Sequence, residues 1–364
     1  MMRFTDPVLV SILGKMRTVG GAKLTEQEWI ALRSTSLEAS QLERIGSEFS
    51  DWYEACYLWS VVSMAIYTRA RQSAKRVHQR LYFCQAVDQV YSTYVGHAHK
   101  ELYDRILRVT NLSTTAKLPP FSLFHVGMRG RLTSQVLAPW AVQDTTGEVM
   151  AIDFSDRDRS ALLAELHEVE GGDESELTAE YSLERFPKAI YFKLDDCELE
   201  FLPPVVCQSH RLVGYSEECT ACKRFPGWVQ LEPIKRKWQF KDDVLEQTFG
   251  VERTQFPLIP QRACSLYTLQ GATTEPGMIA HLSMPGRMDA DMKWLTMYVI
   301  LSRVRGLDTL RTTGMHTEKD ATRIRGIMEG GPPTMITEVF ERYFRDKIDK
   351  TKVYAKEART SLGW

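Results

Sequence analysis

The chain has 364 residues, 43% of them hydrophobic and 26% charged, and carries a formal net charge of −1. That is enough for two domains with separate cores, and it excludes disordered, fibrous and collagen-like classes. No apolar run approaches the roughly 18 residues that span a bilayer and the N-terminus lacks signal-peptide regions, so an intracellular protein with no membrane partner is expected. Seven cysteines at irregular spacing favour free thiols in a reducing compartment. The first element is an amphipathic helix: Asp6 is an N-cap, Pro7 suits the first turn, and Val8, Leu9, Ile12, Leu13 and Met16 form one apolar face. Thr25 and Glu28 have capping-box spacing ahead of a second helix with Trp29, Ile30 and Leu32. Between them, Gly20-Gly21-Ala22-Lys23 is too short for a phosphate loop, and GxxxxGK[ST] occurs nowhere in the chain.

From Ala55 to Val87 there is no acidic residue, while Arg69, Arg71, Lys75, Arg76 and Arg80 accumulate on an expected strand (59–67) and following helix. Such a patch fits either a phosphate backbone or a solvated helix face. Residues 81–90 read as a further strand of the same sheet and 95–109 as a helix, and Leu118-Pro119-Pro120 marks a boundary. Alternating strands follow at 121–136 and 141–154. Between Glu165 and Glu184 lie eight acidic residues and no Lys or Arg, which reads as a flexible, solvent-facing insertion. Two further strands, 186–194 and 227–234, flank Cys207-x2-His210-x8-Cys219-x2-Cys222. Two ligand pairs of this kind suit tetrahedral Zn2+; unpaired cysteines and a surface histidine in a loop are the other reading.

The stretch 253–305 carries the most chemistry. RTQFPLIPQ begins as an apolar strand and leads to a polar turn at Thr268-Leu269-Gln270-Gly271, where glycine lets backbone approach a phosphate. YVIL (298–301), a strand or helix start, then delivers Ser302 and Arg303 at its end. An arginine fixed there presents a rigid cationic fork to charge developing on a transferred phosphoryl group.

Three strings in order, Arg253-x-Gln255-Phe256-Pro257-Leu258, Ser265-x4-Gln270-Gly271-x-Thr273 and Tyr298-Val-x-Leu-Ser-Arg303-Val-Arg305, resemble the last motifs of superfamily 1B DNA helicases of the Pif-type and RecD-like group. The resemblance implies an α/β, RecA-like (P-loop NTPase type) second motor domain with a small β-rich SH3-like insertion and a helical C-terminal tail. Its expected divisions are 1–118, 119–252 (the insertion), 253–312 (the return to the RecA-like domain) and 313–364 (a tail packed on the motor). It places Arg303 and Arg3 as catalytic, nucleotide-sensing arginines, Gln270 and Gly271 at the nucleotide, and Ser265, Tyr267, Thr268, Arg69, Arg71 and Lys75 at DNA. ATP and Mg2+, single-stranded and duplex DNA, and an N-terminal motor domain in the same or another chain are the implied cofactors and partners, in the nucleus or mitochondrion, with 5′ to 3′ translocation. The phosphate loop and the magnesium-binding acidic motif lie upstream of Arg3 in that family, so this chain alone is expected not to turn over ATP. Thr268 stands where the family has lysine, and Leu295-Thr296 where it has Gly-Gln, which implies altered coupling to DNA. A non-catalytic nucleic-acid-binding module and a zinc-stabilised interaction protein are the alternative readings.

Overall fold

The computed structural model describes residues 4–37, 41, 48–91, 100–169, 179–269 and 274–361. They gather into two compact units: 1–44, 51–58 and 264–364 in the first, 45–50 and 59–263 in the second.

In the first unit the strands Tyr53–Cys56, Met278–His281 and Leu310–Thr313 lie parallel, with Ala263–Ser265 beside Tyr53–Cys56. Parallel strands need crossover connections, and helices on their faces bury them. The helix Pro7–Met16 supplies Leu9, Ile12, Leu13 and Met16, all buried on the apolar stripe expected from the sequence. Each fully buried side chain of this size contributes roughly 1.5–3 kcal/mol. The capping box of the helix Glu26–Arg33 is formed as its spacing predicts, with Glu28 N–H donating to Thr25 Oγ1 and Thr25 N–H to Glu28 Oε2. Gly21 sits at φ 84°, and a Cβ there would lie 2.2 Å from the Glu329 carbonyl oxygen, so the Gly20-Gly21 turn serves close packing. This unit has the RecA-like layout.

The second unit is β-rich. Its largest sheet has the order 258–260, 129–132, 146–153, 189–194, 228–231, all antiparallel. Two three-stranded sheets flank it in sequence. At the centre of one, Arg253 is fully buried: Nε and a terminal nitrogen each donate to Asp88 at 2.8 Å, carbonyls of Ile106 and Leu118 accept the rest, and the guanidinium lies 5.3 Å from the Trp238 ring centre. Gln255 likewise turns inward, donating to the Cys84 carbonyl while its side-chain oxygen accepts from Phe256 N–H. The first of the three motif strings is therefore a structural clamp in the second unit.

Several expectations change. Residues 59–67 are the start of the helix Trp59–Arg76, because Val62, Ala65, Arg69, Ala70 and Ala74 recur at helical spacing and are buried; the apolar run at its start resembled a strand. Residues 81–91 break at Ala86 into Leu81–Gln85 and Val87–Tyr91, which join different sheets of the second unit. The expected 95–109 helix is described as Lys100–Leu107. The first unit is left at residue 58 rather than 118, and re-entered at Cys264 rather than Arg253. YVIL ends a helix, Ala290–Leu301. Within the acidic stretch, residues 165–169 close the helix Asp156–Val169 and Glu180 opens the strand Glu180–Ser182, while 170–178 lie outside the described residues. The tail, Thr334–Val339, a π-turn Phe340–Phe344 and Arg345–Ser361, leaves its apolar face exposed instead of packing it, with Met335 at 68% and Tyr343 at 55% exposure. Among the described residues no helix is long and apolar enough to cross a membrane.

Replacing Arg253 by Leu strands the buried Asp88 carboxylate and should cost about 3–5 kcal/mol of unfolding free energy in a urea titration, much of it recovered when Asp88→Leu is added. Acid should also weaken the first unit. Burial alone would push the Glu28 carboxyl up, but hydrogen bonds from Lys15, Ser11 and Thr25 outweigh it and lower it to about 2. Because the folded value is depressed, this stabilisation is full above about pH 4.5 and fades toward about pH 2; Glu28→Gln should flatten that slope in acid titrations followed by circular dichroism.

Candidate nucleotide and nucleic-acid site

Three separate segments meet around the C-terminal end of the helix Ala290–Leu301. Asp289 caps the start of that helix, accepting from Met292 N–H at 2.7 Å, and Trp294, Met297, Ile300 and Leu301 bury it in the core. At its end, Arg303 is half-buried, its guanidinium held by Ser302 Oγ at 2.9 and 3.2 Å and by the Val299 carbonyl at 3.3 Å. Orphan carbonyls at a helix C-terminus attract a cation, so the fork is oriented by the helix that carries it.

The second segment is the turn after Ser265. Thr274 donates to the Arg303 carbonyl twice, from its backbone at 3.0 Å and its hydroxyl at 3.1 Å. Leu269 and Thr274 are both buried. Gln270 and Gly271 lie outside the described residues, but the residues bracketing them are fixed, one in the core and one on Arg303.

The third is the N-terminus. Thr5 N–H donates to the Arg305 carbonyl at 3.1 Å. Asp6 Oδ1 accepts from Val8 and Leu9 as the expected N-cap, while Oδ2 accepts from Leu307 N–H at 3.0 Å. A Cβ on Gly306 would come within 3.1 Å of the Asp6 Cβ, which keeps that approach open only to glycine without a shift. Arg3 is outside the described residues; its neighbours Phe4, Thr5 and Asp6 run along the segment after Arg303. Arg305 pairs with Glu275.

The remaining expected DNA contacts separate. Ser265 is buried, its hydroxyl 3.0 Å from Thr268 Oγ1, so it braces the turn from inside. Thr268 is half-buried; the Tyr267 side chain lies outside the described residues. Arg69 is buried and donates to the Phe49 carbonyl at 2.9 Å, a structural role. Arg71 is exposed but pairs with Glu180, and Arg80 forms a two-pronged pair with Glu165. Lys75 is exposed on the helix Trp59–Arg76. Two of the five cations of the basic patch, Arg71 and Arg80, are thus paired with the acidic stretch that was expected to face solvent. Thr296, in place of the family's Gln, is buried in its helix.

Two clusters add to this. His281 Nε2 lies 2.8 Å from Glu54 Oε1 and its Nδ1 3.1 Å from Thr313 Oγ1. Cys56, His281 and Thr313 end three neighbouring parallel strands, the edge where α/β sheets bind ligands, and Glu54, two residues before Cys56, reaches His281 from within its strand. A histidine inside the apolar string Met278–His281 gave no sequence signal beyond its strand. In the second unit, the ligand atoms of Cys207, His210, Cys219 and Cys222 all lie within 4.8 Å of one another, as their spacing suggested.

Replacing Asp6 by Ala removes both the helix cap and the bond to Leu307, and should cost about 1–2 kcal/mol in urea unfolding. Asp6→Asn, which keeps one acceptor oxygen, should lose about half of that.

No protein-family model and no curated protein matches the chain. Solved structures do. The Pif1 helicase from Candida albicans aligns with a TM-score of 0.50 at 15% identity, over 94% of this chain and 59% of that one. The Bacteroides Pif1 helicase in complex with ADP-AlF3 and ssDNA aligns with a TM-score of 0.50 at 15% identity, over 95% of this chain and 56% of that one. The chain spans less than three-fifths of the length of these helicase structures, and over nearly all of its own length it shares their fold.

Proposed function

We propose that this chain is the arginine-bearing part of an ATP-dependent DNA motor of the Pif type. The observation that carries the reading is the convergence of the N-terminal segment and the residue after the Gln-Gly turn on the end of the Ser-Arg string: Thr5 on Arg305, Asp6 on Leu307 and Thr274 on Arg303. The residues after Arg3 and those bracketing Gln270 and Gly271 are brought to Arg303, although hundreds of positions separate the first from the last in sequence. Support comes also from the shared fold, one of whose solved examples is described with ADP-AlF3 and ssDNA.

In this reading ATP and Mg2+ bind on an N-terminal motor domain supplied by the same or another chain. Arg303 and Arg3 face that nucleotide, and Gln270 and Gly271 link it to single-stranded DNA. Charge on the γ-phosphate grows in the transition state, so a fork already oriented by Ser302 and Val299 lowers the barrier with little reorganisation. Closing and reopening of the cleft with each ATP drives translocation and unwinding, 5′ to 3′ by resemblance, in the nucleus. Tyr267, Thr268 and Lys75 remain as DNA contacts; Ser265 and Arg69 act from inside.

Thr268 in place of lysine and the buried Thr296 favour one rival, a nucleic-acid-binding module without motor activity. Two measurements separate them. The purified chain should bind a labelled single-stranded oligonucleotide with affinity falling steeply as salt rises, and Lys75→Glu should weaken binding and reduce the log–log salt slope by about 0.7. In the complete motor Arg303→Ala should lower DNA-stimulated ATP turnover on the order of a thousandfold while sparing nucleotide binding. Undiminished turnover in Arg303→Ala refutes the motor assignment, and DNA binding with no nucleotide response in the complete assembly identifies the rival.

A further inference from the structure

The segment between the strands Ala189–Leu194 and Trp228–Leu231 is held by very little that is apolar. It contains one short helical turn, Gln208–His210, and two isolated bridges, Glu200 to Pro226 and Val205 to Lys223. Phe201 packs on the core of the largest sheet and Phe225 on Trp228, but around the ligand residues the aliphatic side chains face outward: Leu212 is 100% and Val213 82% exposed, and Leu199, Val205 and Val206 are exposed too. Between those anchors the loop has little hydrophobic reason to adopt one conformation.

Its backbone is nonetheless regular around the four ligand residues. Val205 and Lys223 exchange both backbone hydrogen bonds, at 2.9 and 3.0 Å. Just beyond one side of this bridge, His210 N–H donates to the Cys207 carbonyl at 3.1 Å; just before the other, Cys222 N–H donates to the Cys219 carbonyl at 3.1 Å. Each ligand pair therefore straddles a tight turn, and the bridge sets the two turns opposite each other. Cys207 Sγ is 3.7 Å from both Cys219 Sγ and Cys222 Sγ, and His210 Nδ1 is 3.1 Å from Cys207 Sγ and 3.7 Å from Cys222 Sγ.

These separations discriminate between chemistries. A disulfide needs sulfurs about 2.05 Å apart, so none is formed. Four ligands arranged tetrahedrally, with metal–sulfur bonds of about 2.3 Å and metal–nitrogen bonds of about 2.0 Å, stand roughly 3.5–3.8 Å from one another. We propose that Cys207, His210, Cys219 and Cys222 form a structural Zn2+ site that folds this segment. Three thiolates and one imidazole satisfy all four positions of the ion, leaving none open for substrate, and soft sulfur ligands in tetrahedral array select zinc over the hard cations Mg2+ and Ca2+. Binding through Nδ1 leaves the His210 proton on Nε2, and the three thiols lose their protons to solvent as the metal enters. The metal then does for this segment what apolar contacts do for the sheet whose strands flank it. The site is independent of the motor reading, since none of its ligands belongs to the helicase-like strings.

The test is metal analysis of the full chain purified under reducing conditions without chelator. About one zinc per chain is expected, falling at least about tenfold in Cys219→Ser and in a Cys207→Ser, Cys222→Ser double variant. His210→Cys, which supplies a four-thiolate set, should retain zinc and serves as the folding control. Cobalt exchange should give the intense visible bands of a tetrahedral thiolate centre. A chain free of metal after exposure to zinc, zinc retained in the double variant, or a disulfide among these cysteines in the freshly reduced protein would each overturn the assignment. DNA-binding measurements on the same samples test the motor reading separately.

Discussion

One carboxylate, that of Asp6, holds the first unit's functional end together. Its first oxygen satisfies orphan amides at the start of a helix whose apolar face fills the core. Its second oxygen accepts from Leu307, beyond the arginine-bearing turn. Neither contact needs a long side chain, and the second needs the backbone near Gly306 to come close. A capping residue is ordinary; a capping residue shared with a motif loop ties the placement of Arg303 to the packing of the first helix. The guanidinium is then aimed by its own helix, through Ser302 and Val299, so orientation and position have separate causes.

Charge pairing governs the second unit in a different way. The basic run after Trp59 and the acidic run after Glu165 each look like a solvent-facing or ligand-binding surface in sequence. Folded, they meet: Arg80 with Glu165, Arg71 with Glu180. The exposed Arg71 pair adds little stability and the Arg80 pair is half-buried and two-pronged, and both offset charge that would otherwise attract phosphates. Arg253 is the opposite case, an arginine in a helicase-like string whose charge is fully consumed by Asp88 and two backbone carbonyls.

What could be read from sequence was what local chemistry decides. The cap at Asp6, the capping box at Thr25 and Glu28, the apolar stripe of the first helix and the paired turns of Cys207 to Cys222 all follow from spacing within a few residues. The misread parts depend on partners far away in the chain. Trp59 to Tyr67 begins a helix whose spacing shows only over its full length to Arg76, with Val62, Ala65 and Ala70 on the buried face, and the short apolar run read alone resembles a strand. Ser265 was expected at DNA from its motif string and Arg69 from the basic run, yet both are buried. The Glu54 to His281 contact has no sequence signal, since it joins strands distant in the chain that are made adjacent only by the sheet.

The division of the first unit between residues before 58 and after 264 has a consequence for how the chain is made. The strand Tyr53–Cys56 pairs with Met278–His281, and Thr5 pairs with Arg305, so the opening helices leave the ribosome long before their partners exist. The second unit, nearly continuous from residue 59 to 263, is complete first and is able to fold as a block while the earlier residues wait. Such long-range closures are slow. Until the helix Ala290–Leu301 emerges, the apolar stripe of Leu9, Ile12 and Met16 lacks a main partner, which makes the nascent chain the form most exposed to wrong contacts.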